Sequence, residues 1–274
     1  MKKICVSIIL LFLINLSLNA QAISKSKNEL NSTKSRSSKI IEKSTDSDSS
    51  FNDSDNIGLF LELFGYVTFG VFKYGLVGDY TSENHLHNTL NSFPFSEKGR
   101  GNYSKTDSLR TKNLRLDLEN QYLSGGNSFY GNHLEINLRP SKKIYFKTDY
   151  FELFDKNVFT NQTDRLSLFY FNFAYDRVRL PNFNLGWTIG ASYVGSGVNK
   201  AGFSYGINAD YFLKNNMNIS IDSKWSTINQ NPVNSLELKG KYFRKNYFGS
   251  LSYERLKVAS PVYNLIGIGG GIYF

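Results

Sequence analysis

Apolar and polar residues alternate with a period of two from about residue 112 to residue 274, and no other feature constrains the fold as much. Leu114, Leu116 and Leu118 alternate with Arg115 and Asp117, and comparable runs recur along the chain. Successive side chains of a strand point to opposite faces, so each run predicts a strand with one apolar and one polar face. A strand of about ten residues crosses a bilayer when it is tilted. The runs therefore predict an all-β fold, an antiparallel up-and-down transmembrane β-barrel of about ten strands.

The connections between the predicted strands alternate in length. Short turns are expected at residues 139–142, 179–182, 214–216 and 244–246, and longer loops at residues 124–130, 155–162, 196–200, 229–234 and 257–263. Membrane barrels of bacteria have short periplasmic turns and longer outer loops. An even number of strands then places the start of the first strand and Phe274 on the same, periplasmic side. An extra hairpin at residues 57–78 would raise the strand count by two.

Residues 265–274 predict the strand that closes this barrel. The residues of its apolar face are Ile266, Ile268, Ile272 and Phe274. The segment resembles the closing strand of Gram-negative outer-membrane β-barrels, whose assembly machinery reads a C-terminal aromatic residue preceded by alternating apolar residues. The resemblance implies an outer-membrane location, an assembly signal in those four residues, and transient contact with the barrel-assembly machinery. It also implies pairing with the strand that starts near Lys112.

Residues 1–20 have the organisation of a secretory signal peptide. Lys2 and Lys3 precede an apolar run at residues 4–18, and Ala20 supplies a small residue at the expected cleavage point. An uncleaved membrane anchor is the alternative, and the shortness of the apolar run favours the signal peptide. Cys5 is the only cysteine, so the mature chain would have neither disulfides nor thiolate metal sites.

The composition agrees with a membrane barrel. Aromatic residues make up 15% of the chain, with 22 Phe and 18 Tyr, whereas hydrophobic residues reach only 41% and the mean hydropathy is −0.34. An apolar outer band with aromatic girdles around a polar interior gives such an average. The net charge of +9 is spread along the chain, which indicates contact with anionic membrane lipid and no nucleic-acid partner.

The region before the first strand divides into two parts. Residues 21–56 are rich in Ser, Lys, Asn and Asp and poor in apolar residues, which predicts a disordered periplasmic tail. Residues 57–78 are almost wholly apolar, with Glu62 and Lys73 as their only charges. A transmembrane helix, a membrane-associated amphipathic helix and two extra strands all fit this segment, and its glycines favour the membrane-associated helix over the spanning one. The remainder of residues 57–111 is expected to form a periplasmic loop region, followed by the barrel at residues 112–274.

Two imidazoles and a carboxylate lie close together in that loop region. Glu83, His85 and His87 offer ligand types that zinc accepts. A zinc site needs three or four convergent ligands, however, and a lone His-x-His pair is a weak signal. The prediction is therefore an ordered loop, with no metal and no other cofactor.

His133 is the only histidine of the predicted barrel, and it is expected at the outer end of the second strand. Glu119 is expected beside it across the first hairpin, and Asp155 and Asp164 could approach from the next hairpin. The set resembles the outer-rim site of barrel proteases, which work with acidic pairs and an Asp–His pair. The resemblance implies that a carboxylate–His pair could activate water. A cross-strand pair without catalytic role explains the same residues, and the chain is predicted not to be an enzyme.

Charged residues of both signs on the inward faces predict a lumen filled with ion pairs. A structural or protein-interaction role, as a component of an envelope complex, is the favoured function. Its partner would bind residues 57–111 or the outer loops, because a bare membrane plug does not need the region before the barrel. A narrow channel or transporter is the first alternative, since a group of inward glycines could leave a slot: Gly186, Gly190, Gly206, Gly267, Gly269 and Gly271. An outer-membrane hydrolase with the carboxylate–His site is the second.

Overall fold

The computed structural model describes residues 22–32, 71–96, 99–105, 114–126, 128–156 and 162–274. Ten strands close into one antiparallel barrel in which each strand pairs with its neighbours in sequence, which confirms the predicted strand count. Two short strands, β1 (Thr89–Leu90) and β2 (Tyr103–Ser104), form a separate pair. The barrel strands are β3 (Arg115–Ser124), β4 (Phe129–Arg139), β5 (Ile144–Lys156), β6 (Thr163–Arg179), β7 (Phe183–Val194), β8 (Lys200–Phe212), β9 (Met217–Ile228), β10 (Asn231–Arg244), β11 (Tyr247–Val258) and β12 (Val262–Tyr273).

The barrel closes where β12 pairs with β3. The register runs from Ile266 opposite Ser124 to Tyr273 opposite Asp117, as the alternation of residues 265–274 predicts. Phe274 extends the pairing, because its backbone N–H donates to the carbonyl of Leu116 at 2.9 Å. The end of the barrel that contains Phe274 is called the near end here, and the opposite end is called the far end.

The outer surface of the barrel is apolar. Ile268 is 65% exposed, Leu251 61% and Phe203 59%, and many other large apolar side chains of the strands also face outward. A hydrophobic surface of this extent needs lipid around it, and a closed barrel satisfies every backbone group of its strands within the bilayer. The chain is therefore a transmembrane β-barrel of the outer-membrane type, as predicted.

The connections differ in length less than the sequence predicts. At the far end, β9 and β10 are joined by residues 229–230 alone, although a longer loop was expected there. Asn229 and Gln230 both adopt positive φ, as a two-residue hairpin turn of type I′ requires. The expectation of a longer loop was wrong because a two-residue turn is usually predicted from a glycine in the sequence, and residues 229–230 contain none.

A short helix, α1 (Ala22–Asn31), lies in the far half of the lumen. Ile23, Ser26 and Leu30 recur at helical spacing and are fully buried there. Disorder was predicted for residues 21–56. The prediction is wrong for α1, because one face of this helix packs in an apolar pocket of the barrel, and residues 33–56 lie outside the described residues. The pocket is lined by residues that include Leu123, Phe129, Phe151, Leu153, Leu166, Leu256 and Tyr263.

The near end is covered by residues 79–96 and 99–105, which we call the cap. The cap contains a 3₁₀-helix (Asn84–His87) and the β1–β2 pair. A π-helix (Val71–Val77) precedes it and lies against the barrel wall, where the Trp187 side chain donates to the Leu76 carbonyl at 3.0 Å. Residues 57–70 of the predicted membrane-associated segment lie outside the described residues. Among the residues that are described, no helix combines the length and apolar character that a membrane span requires.

Candidate functional site

The near half of the lumen is filled with paired charges, and Lys239 is at their centre. Its Nζ lies 3.1 Å from Glu119 Oε2, 3.2 Å from Glu135 Oε2 and 2.6 Å from Glu237 Oε1. Lys241 adds a second cation at 2.8 Å from Glu119. The lysines and Glu237 come from β10, whereas Glu119 and Glu135 are directly opposite each other on β3 and β4. The contacts therefore join walls of the barrel that are not neighbours in the sheet.

A second group of charges continues the network toward β5 and β9. Lys224 bridges Asp149 at 3.2 Å and Asp222 at 2.9 Å. Lys147 pairs with the same Asp222 and with Glu135, so the two groups share a carboxylate. Charges in so confined a space must be paired, because an unpaired one would cost several kcal/mol.

The floor of the lumen is built around two arginines. Arg139 contacts Asp176 at 2.8 Å and Asp117 at 3.4 Å. Arg115 forms a fork with Asp117, with nitrogen–oxygen distances of 2.7 and 2.8 Å. Tyr103 of the cap donates to Asp176 at 2.5 Å, so the cap takes part in the network. Complete burial, together with the negative charge of Asp176, raises the pKa of Tyr103 far above its ordinary value.

A cavity of about 60 Å³ remains between this network and the cap. Its lining is polar and includes Asn102, Asp117, Lys147, Asn208 and Asp210. That volume holds a few water molecules. The described lumen thus has room for hydration of its charges and no room for a wide aqueous passage.

His133 lies inside the lumen and not at the rim. It is 1% exposed, and its ring stacks on Phe151 with the ring centres 3.9 Å apart. Its Nε2 is hydrogen-bonded to Asp149 Oδ1 at 3.2 Å, and its Nδ1 lies 2.8 Å from Glu254 Oε1. The expected outer-end position was wrong because β4 continues for four more residues beyond His133, to Phe129 at the far end.

The expected partners of His133 lie elsewhere. Across the first hairpin His133 is opposite Gln121, and Glu119 is opposite Glu135. Glu119 faces the same lumen but pairs with the two lysines of β10. Asp155 and Asp164 are opposite each other at the far end of β5 and β6, with Asp155 buried and Asp164 exposed. Asp155 is four residues, or roughly 13 Å, along β5 from the partner of His133, so the four candidates do not form one site.

Glu254 is the neighbour that the sequence did not assign to His133. It is fully buried, and its Oε2 has no hydrogen-bond partner. Ligand atoms of His133, Glu237 and Glu254 all lie within 4.8 Å of one another, as do those of His133, Glu135 and Asp149. The alternation places Glu237 and Glu254 on inward faces, but only the register between distant strands brings them to His133.

Glu83, His85 and His87 are in the cap, where they do not converge. Both carboxylate oxygens of Glu83 accept from Arg177 at 2.8 Å, which lowers the pKa of Glu83. His85 Nε2 is 3.6 Å from Glu83, and burial lowers the pKa of His85. His87 turns away, and its Nε2 lies 2.9 Å from the Tyr80 carbonyl. In the part of the chain that the structure describes, this segment holds an ion pair and no three-ligand cluster.

Comparisons with known proteins find no matching family model and no matching curated protein. Solved barrels are similar at low identity, and they include three outer membrane proteins. A loop-deletion mutant of OmpT, an outer membrane protein of Vibrio cholerae, is 13% identical with a TM-score of 0.32, over 57% of this chain and 62% of that one. An outer membrane channel from Pseudomonas putida is 7% identical with a TM-score of 0.35, over 59% and 95%. The outer membrane protease OmpT from Escherichia coli is 11% identical with a TM-score of 0.32, over 59% and 93%.

This chain therefore spans less than two thirds of the length of the Vibrio cholerae protein. Similarity at this level says nothing about activity.

Proposed function

We propose that this chain is a closed outer-membrane barrel with a structural or protein-interaction role, as a component of an envelope complex. The observation that carries the proposal is the filling of the lumen. Lys239 and its three carboxylates occupy the centre, α1 occupies the far half and the cap covers the near end. A barrel blocked at three levels is suited to anchoring or presenting a partner and unsuited to carrying solutes.

The cap is the surface that we propose for the partner. It is fixed to the barrel by specific contacts, since Arg115 donates to the Asn91 carbonyl and the Asn102 side chain, each at 3.0 Å. Such contacts hold the cap in one orientation toward the space beyond the near end. Lys105 and the segment around His87 line an open cleft on that side. A rigid platform of this kind lowers the ordering cost of binding.

The glycines of the alternative channel hypothesis are packed against neighbouring strands. A Cβ atom at Gly186 would lie 2.8 Å from the Asp176 side chain, and one at Gly206 would lie 2.8 Å from the Thr188 hydroxyl. These glycines therefore fit close strand packing and leave no slot beside them. The hydrolase hypothesis has a comparable difficulty, because His133 is buried and its ring stacks on Phe151, so a substrate has no access to it.

Recordings on planar bilayers test the closed lumen. We expect purified, folded protein to insert without discrete conductance steps, with insertion checked by flotation with liposomes. A variant that lacks α1 is expected to remain silent as well, because the charges around Lys239 still fill the lumen. Discrete steps from the wild-type chain would contradict the proposal and favour the channel.

Site-specific photocrosslinking in intact cells tests the partner surface. A photoreactive residue at Lys105, which is exposed on the cap, is expected to give a discrete adduct with an envelope protein. The matched control is the same replacement at Asp164, which is exposed at the far end. Adducts at Asp164 and none at Lys105 would indicate that the partner binds the outer loops and not the cap. The absence of adducts at both positions would count against an interaction role.

A further inference from the structure

Glu254 has an unusual position among the charges of the lumen. It is fully buried, and no described lysine or arginine lies within ion-pair distance of it. Oε2 has no hydrogen-bond partner, and Oε1 approaches only His133 Nδ1. Its nearest charge partner is an imidazole, and a buried carboxylate that no permanent cation compensates is unfavourable, so a bound cation would stabilise this position. We propose that His133, Glu237 and Glu254 bind a divalent transition-metal ion inside the barrel.

The orientation of His133 is that of a metal ligand. Its Nε2 is hydrogen-bonded to Asp149, and Lys224 holds the other oxygen of that carboxylate at 3.2 Å. A carboxylate that accepts from one imidazole nitrogen leaves the other nitrogen free to coordinate a metal, and ligating histidines are usually held in this way. Here the free nitrogen is Nδ1, and it points toward Glu254.

The contact between Nδ1 and Glu254 does not have the geometry of a hydrogen bond. The two atoms are 2.8 Å apart, yet neither has a hydrogen-bond partner. Two ligands of a shared cation are also close neighbours without a hydrogen bond between them. An imidazolium that donated to Glu254 would place its N–H along the line between the two atoms.

Glu237 supplies the third ligand. One of its oxygens accepts from Gln121 Nε2 at 3.1 Å and contacts Lys239 at 2.6 Å, so its carboxylate is held in place from two sides. A set of one imidazole and two carboxylates suits Zn²⁺, Mn²⁺ or Fe²⁺ and does not suit soft cations that prefer sulfur. The cation would neutralise the charge that Glu254 leaves unpaired.

The ion would act as a structural clip. His133 is on β4 and the two glutamates are on β10 and β11, and β12 and β3 lie between β11 and β4 in the barrel. One cation would therefore join walls that share no backbone hydrogen bonds. This role goes beyond the proposed function, because partner binding at the cap does not depend on it.

The test uses the full chain refolded from denaturant into detergent micelles, with a chelator or with Zn²⁺, Mn²⁺ or Co²⁺. After removal of free metal, elemental analysis is expected to find about one ion per chain in the wild type. The urea midpoint is expected to be higher with metal than with chelator. With Co²⁺, visible absorption bands would report coordination by His133.

Glu254→Gln separates metal binding from simple packing. In chelator this variant is expected to be at least as stable as the wild type, because it removes an uncompensated buried charge. With metal it is expected to retain no ion and to show no rise in midpoint. Glu152→Gln, at a glutamate that pairs with the half-exposed Arg165, is the matched control and should bind metal like the wild type.

Two results would overturn the inference. The first is a wild-type chain that retains no metal under any of these conditions. The second is a Glu254→Gln variant that is less stable than the wild type in chelator, which would mean that a protonated His133 already compensates Glu254.

Discussion

Lys239 is the single residue on which most of the lumen charges depend. It is 2% exposed and contacts Glu119, Glu135 and Glu237. Lys239→Met keeps the length of the side chain but leaves three carboxylates with less countercharge. Breaking a buried ion pair by removing one partner costs about 3–5 kcal/mol. We expect the free energy of unfolding, measured with urea in micelles, to fall by that amount.

The control for this prediction is Lys214→Met, because Lys214 is exposed in a near-end turn. It should change the free energy of unfolding by less than about 0.5 kcal/mol. Equal effects of the two substitutions would mean that the lumen network contributes little to stability.

The ion pair between Glu83 and Arg177 makes docking of the cap depend on pH. Hydrogen bonds from Arg177 lower the pKa of Glu83, so its folded value is below its unfolded value. The ion pair therefore stabilises the docked cap fully above the pKa of Glu83 in the unfolded chain, about 4.3. This stabilisation is lost as the pH falls through the lower pKa of Glu83 in the folded protein. Hydrogen exchange of the Asp79 amide, which donates to Glu83, should quicken in that acidic range beyond the intrinsic change.

Glu83→Gln is the reference for the pH prediction. This variant has no carboxylate to protonate, so protection of the Asp79 amide should be weaker at neutral pH and should show no step in the acidic range. If the exchange rate of the Asp79 amide rose in the same acidic range in both proteins, a titrating group other than Glu83 would be the cause.

For single residues, the alternation correctly predicted whether most side chains point inward or outward. It did not predict which residues they contact. Glu119 and His133 do face the lumen, as charged and polar residues of the alternating strands should. Their pairing was predicted two residues out of register, because His133 is opposite Gln121. The contacts across the lumen, such as Lys239 to Glu119, depend on the stagger of the closed barrel, which no short sequence window encodes.

Among the elements, β12 determines whether the barrel closes. A Cβ atom at Gly269 would clash with the Asn120 carbonyl and lie 2.7 Å from Gln121 Cα, both on β3. Gly269→Ala is therefore expected to separate β12 from β3 and to lower the fraction of folded protein. The folded fraction is measured in gel electrophoresis as the share of protein in the band whose mobility changes when the sample is heated.

Gly249→Ala is the matched control for the closing strand. A Cβ atom there has its nearest neighbour, the Gly269 carbonyl oxygen, at 4.0 Å, so the methyl group fits without movement. Wild-type folding of both variants would show that the strand contact at Gly269 can relax.

The helix α1 is held in the far mouth by its apolar face. Ile23→Asp places a charge among apolar side chains and is expected to release α1 from the lumen. Trypsin should then cut at Lys25 and Lys27 in folded barrels much faster than in the wild type. Asn28→Asp, at an exposed position of the same helix, should leave the cleavage rate unchanged. Rapid cleavage of the wild type would contradict the packing of α1.

The elements were predictable to different degrees. Strands with regular alternation, and the pairing of β12 with β3, follow from the sequence alone. The faces of β6 were not separable, since a bulge between Asp176 and Val178 interrupts its period near one end. The helix α1 was missed because its few apolar residues are diluted by the serines and lysines around them. Its stability comes from the pocket that the barrel provides.

For the whole molecule, the lumen is divided into an apolar far half and a charged near half. Its general content of paired charges was predictable from inward residues of both signs. The division was not predictable, because it results from the barrel stagger and from α1. The division gives each half its own means of excluding solutes, which is why removal of α1 alone is expected to leave the barrel closed.

One contact links the beginning and the end of the described chain. The Ser26 hydroxyl and the Tyr263 hydroxyl are 2.7 Å apart across 237 residues of sequence. Contacts between such distant residues slow folding, because closing a long loop costs conformational entropy before the contact can stabilise the fold. An intermediate in which β12 has not yet paired lacks the Tyr263 hydroxyl that contacts α1. We therefore expect the first helix to dock late, together with the closure of the barrel by its last strand.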